Sequence, residues 1–207
     1  MAAVVEVNHA LVRHHLAVLR DQATSPEAFR NAARRIATLV VTEATRDLPE
    51  APVTVQTPIQ ETTCHRVDAR VAIVPILRAG LAMEDPFLDL LPEAQVLHLG
   101  FYRDEATHQP VEYYNKLPET CNVDIAFVVD PMLATGGSAL VAIQALQEWG
   151  VKDIRFLGLI ASPEGVAAVR KAAPEVSIYT AALDERLNEN AYIVPGLGDA
   201  GDRVFNT

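Results

Sequence analysis

Cysteine is scarce in this chain. Cys64 and Cys121 are the only two in 207 residues and lie far apart. They have neither the density of a disulfide scaffold nor the close spacing of metal ligands, so reduced thiols in a reducing compartment are expected. Basic charge is also short: 17 Lys and Arg stand against 27 Asp and Glu, a net charge of −10, with no dense Lys/Arg run. The field of such a molecule repels polyanions, so nucleic acid is not expected as a partner. Long hydrophobic runs are missing as well. The longest, such as residues 125–129, fall well short of the roughly 20 residues that span a bilayer, and the amino-terminal stretch shows no basic segment followed by an apolar one. A cytoplasmic protein without a membrane partner is the expectation. What is present is apolar side chain, 50% of residues against 21% charged. That excludes a disordered, collagen-like or low-complexity chain, and the length suits one domain over residues 1–207.

The first 45 residues read as helical. Leu11, Leu16 and Leu19 lie among polar residues, and Ser25-Pro26-Glu27 offers an N-cap, a first-turn proline and an early acid for a second helix over residues 26–44. Pro49 and Pro52 end that pattern. Val53, Val55 and Ile59 alternate with Thr54 and Thr57 as in a half-buried strand or hairpin, before a turn expected at residues 65–70. Short continuous apolar runs follow at residues 71–74, 96–101, 125–129, 156–160 and 178–183, the pattern of strands buried on both faces. Residues 139–149 keep Ala139, Ala142, Ile143, Leu146 and Trp149 on one helical face until Gly150. Alternating strands and helices predict an α/β fold with a mainly parallel central sheet. Ligands bind such sheets beyond the carboxyl ends of the strands, which directs attention to the loops after Val74, Phe101 and Val129.

The most informative loop is Val128-Val129-Asp130-Pro131-Met132-Leu133-Ala134-Thr135-Gly136-Gly137-Ser138-Ala139, between a strand and a helix. Gly136 and Gly137 let backbone N–H groups turn inward, the helix start adds unpaired donors and a positive dipole end, and Thr135 and Ser138 add hydroxyls. Together they make a cradle for a phosphate monoester. A carboxylate beside such a cradle, Asp130, is placed to accept hydrogen bonds from ribose hydroxyls. Phosphate plus sugar diol points to a ribose phosphate. No Lys follows the glycines as in a P-loop, and no G-x-G-x-x-G follows a strand, which removes the usual kinase and dehydrogenase readings.

This segment resembles the phosphoribosyl pyrophosphate (PRPP) loop of the type I phosphoribosyltransferases. Most of that family carry two adjacent acids where this chain has Asp130-Pro131, and the Asp-Pro-Met-Leu-Ala-Thr-Gly-Gly-Ser form is similar to the uracil phosphoribosyltransferases specifically. Val74-Pro75-Ile76-Leu77-Arg78-Ala79-Gly80, Tyr102-Arg103, Glu6-Val7 and the tail Tyr192-Ile193-Val194-Pro195-Gly196-Leu197-Gly198-Asp199-Ala200-Gly201-Asp202-Arg203 agree with that narrower match, which covers nearly the whole chain. The resemblance implies a type I phosphoribosyltransferase-like fold with a hairpin arm and a C-terminal hood over the base.

Arg78, just past a strand and beside Ala79-Gly80, can hold a pyrophosphate oxygen pair through two parallel N–H bonds. Arg103 heads the polar stretch 104–110, and residues 111–116 could fold back to make a mobile arm that closes on pyrophosphate. The tail, with three glycines in residues 196–201, is expected to be an irregular loop whose backbone lies close to something. By resemblance, Ile193, Gly198, Asp199 and Ala200 contact uracil, and Asp199 also lies on the PRPP side. The reaction implied is uracil plus PRPP giving UMP and diphosphate. Asp130, Arg78 and Arg103 would carry it, with Mg²⁺ brought in mainly on substrate oxygens rather than in a protein cage. The six histidines show no shared ligand face and receive no role. The family also implies a homo-oligomer, and GTP as an activator in some members. Two rivals share the fold: a phosphoribosyltransferase for another base, against which the glycine-rich tail speaks, and an RNA-binding pyrimidine regulator, against which the acidic charge speaks.

Overall fold

The computed structural model describes residues 2–103 and 110–207, with backbone alone at residues 102–103 and 110–112. In chain order the elements are β1 (Val4–Glu6), α1 (Ala10–Arg20), α2 (Pro26–Ala44), β2 (Glu50–Gln56), β3 (Glu61–Val67), β4 (Val71–Leu77), a 3₁₀ turn (Ala79–Met83), α3 (Glu84–Leu90), β5 (Gln95–Val96), β6 (Leu99–Arg103) and β7 (Pro110–Asn115). There follow β8 (Ile125–Val129), β9 (Met132–Leu133), α4 (Gly137–Trp149), β10 (Asp153–Ala161), α5 (Pro163–Ala172), β11 (Ser177–Leu183), β12 (Arg186–Leu187), β13 (Ile193–Val194) and α6 (Ala200–Phe205).

The main sheet runs β1-β11-β10-β8-β4-β6-β7, all neighbours parallel except the antiparallel pair β6–β7. Its interior strands are apolar on both faces because both are covered. Val71, Ile73, Ile125, Phe127 and Val129 pack with Phe29, Ile36 and Val40 of α2 on one side. Ala72, Val74, Ala126, Val128 and Phe156 pack with Ala142, Ile143 and Leu146 of α4 on the other. Truncating a filler such as Phe127, fully buried and 5.0 Å from the Phe87 ring, costs about 3–5 kcal/mol in sites of this kind. The chain leaves β4 toward β6 on one side and leaves β8 toward β10 on the other. The strand order therefore reverses between the parallel neighbours β4 and β8, and a crevice opens at the carboxyl ends of those two strands. Among the described residues no helix is long and apolar enough to cross a membrane.

The helix expected at residues 26–44 forms with those bounds, Ser25 Oγ accepting the Ala28 N–H. Several expectations need correction. Leu11 is exposed, and Val12 joins Leu16 and Leu19 in facing the core. Residues 4–6 are an edge strand beside β11 rather than part of a helical segment, because their backbone completes that parallel ladder. The hairpin turns at residues 57–60, where Thr57 Oγ1 accepts the Ile59 and Gln60 N–H groups, so His65, placed in a turn by sequence, lies inside β3. The run 96–101 is split into β5 and β6 at Leu97, whose N–H bonds to Ile73 O.

Candidate active site

The cradle forms where the glycines require it. Gly136 has φ +82°, and a Cβ there would come within 3.2 Å of both Ala168 Cβ and Gly165 O. Gly137 opens α4, and Asp130 with residues 132–139 lines a small hollow of about 90 Å³ at the helix start. Pro131 O accepts the Leu159 and Ile160 N–H groups at 3.0 and 3.1 Å, fixing the loop to β10. Sequence reasoning missed two supporting residues. Ser162 Oγ donates to Ala134 O at 2.6 Å while accepting the Gly165 N–H at 2.9 Å, and a Cβ on Gly165 would overlap Ala134 O. Their signal was Ser162-Pro163-Glu164, the same cap signature as Ser25-Pro26-Glu27.

Arg78 follows β4 through a cis peptide bond, and its guanidinium lies 5.6 Å from the centre of the Phe205 ring of α6. Gly80 is obligatory for close approach: a Cβ would lie 2.6 Å from Val129 O. The 3₁₀ turn thus leans on the end of β8, one residue before Asp130. The backbone of Arg103 ends β6 on the strand next to β4, and residues 110–115 do return beside it as β7. The Arg103 side chain and the arm residues 104–109 lie outside the described residues.

The tail departs from the expected loop. Asp199 accepts the Asp202 N–H at 3.0 Å and starts helix α6 at Ala200, so the irregular segment ends before Gly201. An N-capping carboxylate and an acid in the first turn outweigh one glycine. Ala200 is fully buried and Ile193 nearly so, while Gly198, at φ +79°, is exposed. Met132 and Ala134 of the cradle face Asn190, Ala191, Tyr192, Ile193 and Asp199 of the tail across a cleft of about 320 Å³. Asn190 and Ala191 were not read from the sequence, where nothing distinguishes them from an ordinary turn, and Tyr192 was read only as the start of the tail, without a role. A larger groove of about 520 Å³, at the opposite end of β4 between Arg66, Arg70 and Glu93, takes in none of the residues above.

Asp130, half-buried at the end of β8, has its carboxyl pushed up to about 7. Burial is the main cause, the Met132 N–H opposes it, and the Asp199 carboxylate adds to it. Asp130 and Asp199 are therefore electrostatic neighbours across the site. No group of three or more His, Cys, Asp or Glu able to hold a metal occurs among the described residues. Two neighbouring carboxylates suit a Mg²⁺ that keeps most of its oxygens from water and substrate.

Residues 5–207 match the family model described as uracil phosphoribosyltransferase. The chain belongs to the uracil phosphoribosyltransferase family. It is 55% identical over 207 residues to the uracil phosphoribosyltransferase of Roseiflexus sp. strain RS-1, covering all of both chains. It is 54% identical over 202 residues to that of Streptococcus agalactiae serotype III strain NEM316, covering 97% of each. Among solved structures, the AQ2163 protein from Aquifex aeolicus superposes with a TM-score of 0.92 at 36% identity, over 98% of this chain and 97% of that one. An adenine phosphoribosyltransferase from Giardia lamblia, complexed with 9-deazaadenine, shares the fold alone, with a TM-score of 0.53, 18% identity and coverage of 82% and 84%. The expected type I phosphoribosyltransferase fold and pentosyltransferase class are both borne out.

Proposed function

We propose that the chain joins uracil N1 to the anomeric carbon of PRPP, giving UMP and diphosphate. The observation that carries this reading is the cleft that sets the cradle against the tail: one wall suits a ribose 5-phosphate and the other a small planar base. The Thr135-Gly136-Gly137-Ser138 cradle holds the 5-phosphate through backbone and hydroxyl donors. Asp130 accepts the ribose hydroxyls, with Pro131, Met132, Leu133 and Ala134 forming the wall between. The C1–O bond to diphosphate breaks as the C1–N1 bond forms from the opposite face, and the N1 proton passes to water. The ring carries oxocarbenium character in between, which the Asp130 carboxylate offsets. Arg78 and Arg103 balance the charge growing on the leaving diphosphate. Asp130 and Asp199 would stand beside a substrate-borne magnesium ion, which would supply further positive charge toward the leaving diphosphate. Ile193 and Asp199 line the base side, Gly198 and Ala200 flank Asp199 in the chain and would offer backbone groups, and positioning does much of the rest.

The same reading includes a cytoplasmic homo-oligomer activated by GTP. Oligomerisation is supported by the β2–β3 hairpin, which pairs with no other strand among the described residues, and by the exposure of every residue of β3. Two-stranded hairpins are marginal alone in water. Initial rates with and without GTP, and light scattering, test these two points. The reaction is tested by incubating labelled uracil with PRPP and Mg²⁺, with hypoxanthine and orotate as competitors. Nucleotide formed from uracil alone is expected, and product from another base in its place overturns the assignment.

A further inference from the structure

The segment between β13 and α6 is anchored in the core by the buried Leu197, but a glycine in the left-handed region stands on each side of that anchor. It runs Pro195-Gly196-Leu197-Gly198-Asp199, with Gly196 at φ +66° and Gly198 at φ +79°. Glycine in such conformations loses more freedom on ordering than any other residue. A wall that reads a base must nevertheless be placed to within about 0.5 Å. The order comes from residues remote in sequence. Asp184, at the end of β11 with its side chain almost wholly buried, accepts the Gly196 N–H at 2.9 Å. Arg20, the last residue of α1, donates to both Asp184 oxygens, at 2.8 and 2.5 Å, and also to Gly196 O at 2.8 Å. One bidentate ion pair therefore takes up both backbone polar groups of Gly196. Arg203 adds a second fixing point, bonding Leu197 O at 2.9 Å while reaching Leu19 O and Asp21 O at the end of α1, its guanidinium 4.4 Å from the centre of the Phe29 ring.

We propose that Arg20 and Asp184 are positioning residues for the base: they touch no substrate, but by clamping Gly196 they set the place of the segment leading to Asp199, and so uracil affinity. This rests on the reading of the cleft as the uracil site. A planar fork is required, because only a guanidinium can meet a carboxylate through two N–H bonds and still reach the Gly196 carbonyl. A lysine in its place keeps the charge and gives up that geometry.

The test compares parent, Arg20→Lys and Arg20→Met as full chains, by steady-state kinetics in both substrates and by amide hydrogen exchange without substrates. Arg20→Met is expected to raise KM for uracil about tenfold or more, with KM for PRPP within about twofold and kcat within about threefold. Exchange should quicken at residues 196–199 while the amides of β8 stay protected. Arg20→Lys should fall between the two in uracil KM. Should Arg20→Met lose its cooperative melt, Arg20→Lys carries the same comparison. An unmoved uracil KM overturns the clamp whether or not exchange quickens, as does a loss shared equally by both substrates. A parent inert toward uracil overturns instead the functional reading beneath it.

Discussion

Ser162 Oγ donates to the Ala134 carbonyl at 2.6 Å, joining the first turn of α5 to the phosphate cradle. The same oxygen accepts the Gly165 N–H, so one hydroxyl caps a helix and braces a loop. Ser162 is fully buried, and removing the hydroxyl leaves both partners short of a bond. Ser162→Ala is expected to lose about 1–3 kcal/mol of stability and to raise KM for PRPP more than KM for uracil. Gly165→Ala should be worse, since its Cβ meets backbone oxygens that cannot swing aside. Thermal melts beside kinetics in each substrate check both. A melt that falls with unchanged PRPP kinetics would confine Ser162 to stability.

Asp130 sits at about 7 in the free protein, well above an unfolded aspartate near 3.9. Between those values the folded chain keeps a proton that the unfolded chain has released. Stability contributed by this group is therefore full below about 4 and is lost as pH rises through 7. The difference in melting temperature between parent and Asp130→Asn should change across pH 4 to 7, with the variant gaining on the parent toward pH 7 and the difference levelling off above it. Ribose hydroxyls donate to the ionised form, so PRPP binding near pH 6.5 should release a proton. Calorimetric titration in buffers of different ionisation enthalpy measures it, and equal heats would exclude the coupling.

Most of the scaffold was legible because its signals are local. The run 125–129 is β8 to the residue, Ser25-Pro26-Glu27 starts α2, and Gly150 closes α4 with φ +112°. The cradle was legible for the same reason, its glycines and hydroxyls being contiguous. The tail was only half legible. Counting glycines argues against a helix at residues 200–205, and what overrides the count is a single side-chain bond from Asp199. The far wall of the cleft was not legible, since Asn190 and Ala191 carry no chemical pattern of their own. The Arg20–Asp184 pair, 164 positions apart, exists only once α1 and β11 have packed.

Arg78 rests against Phe205, and pairs with no carboxylate among the described residues. Such a contact on a partly exposed ring is worth about 0.5–1 kcal/mol, little to give up when a diphosphate arrives. The forked guanidinium then matters more than the charge. Arg78→Lys is expected to lower kcat/KM for PRPP at least about tenfold with little change in melting temperature. Equal kcat/KM in variant and parent would take Arg78 out of leaving-group binding.

Asp199 does two jobs that two substitutions can separate. Its side chain caps α6 by accepting the Asp202 N–H, and its charge helps hold the Asp130 carboxyl up near 7. Asparagine caps helices about as well as aspartate but carries no charge, whereas alanine does neither and loses about 1 kcal/mol. Asp199→Asn should therefore melt close to the parent, and Asp199→Ala below it. Both should lower the pH midpoint of Asp130, because the negative neighbour that disfavours its ionised form is gone. The midpoint is read from proton release on PRPP binding, followed across pH in each variant. A midpoint that stays in place in Asp199→Asn would mean that burial alone sets the Asp130 proton, and that the two carboxylates do not act as a pair.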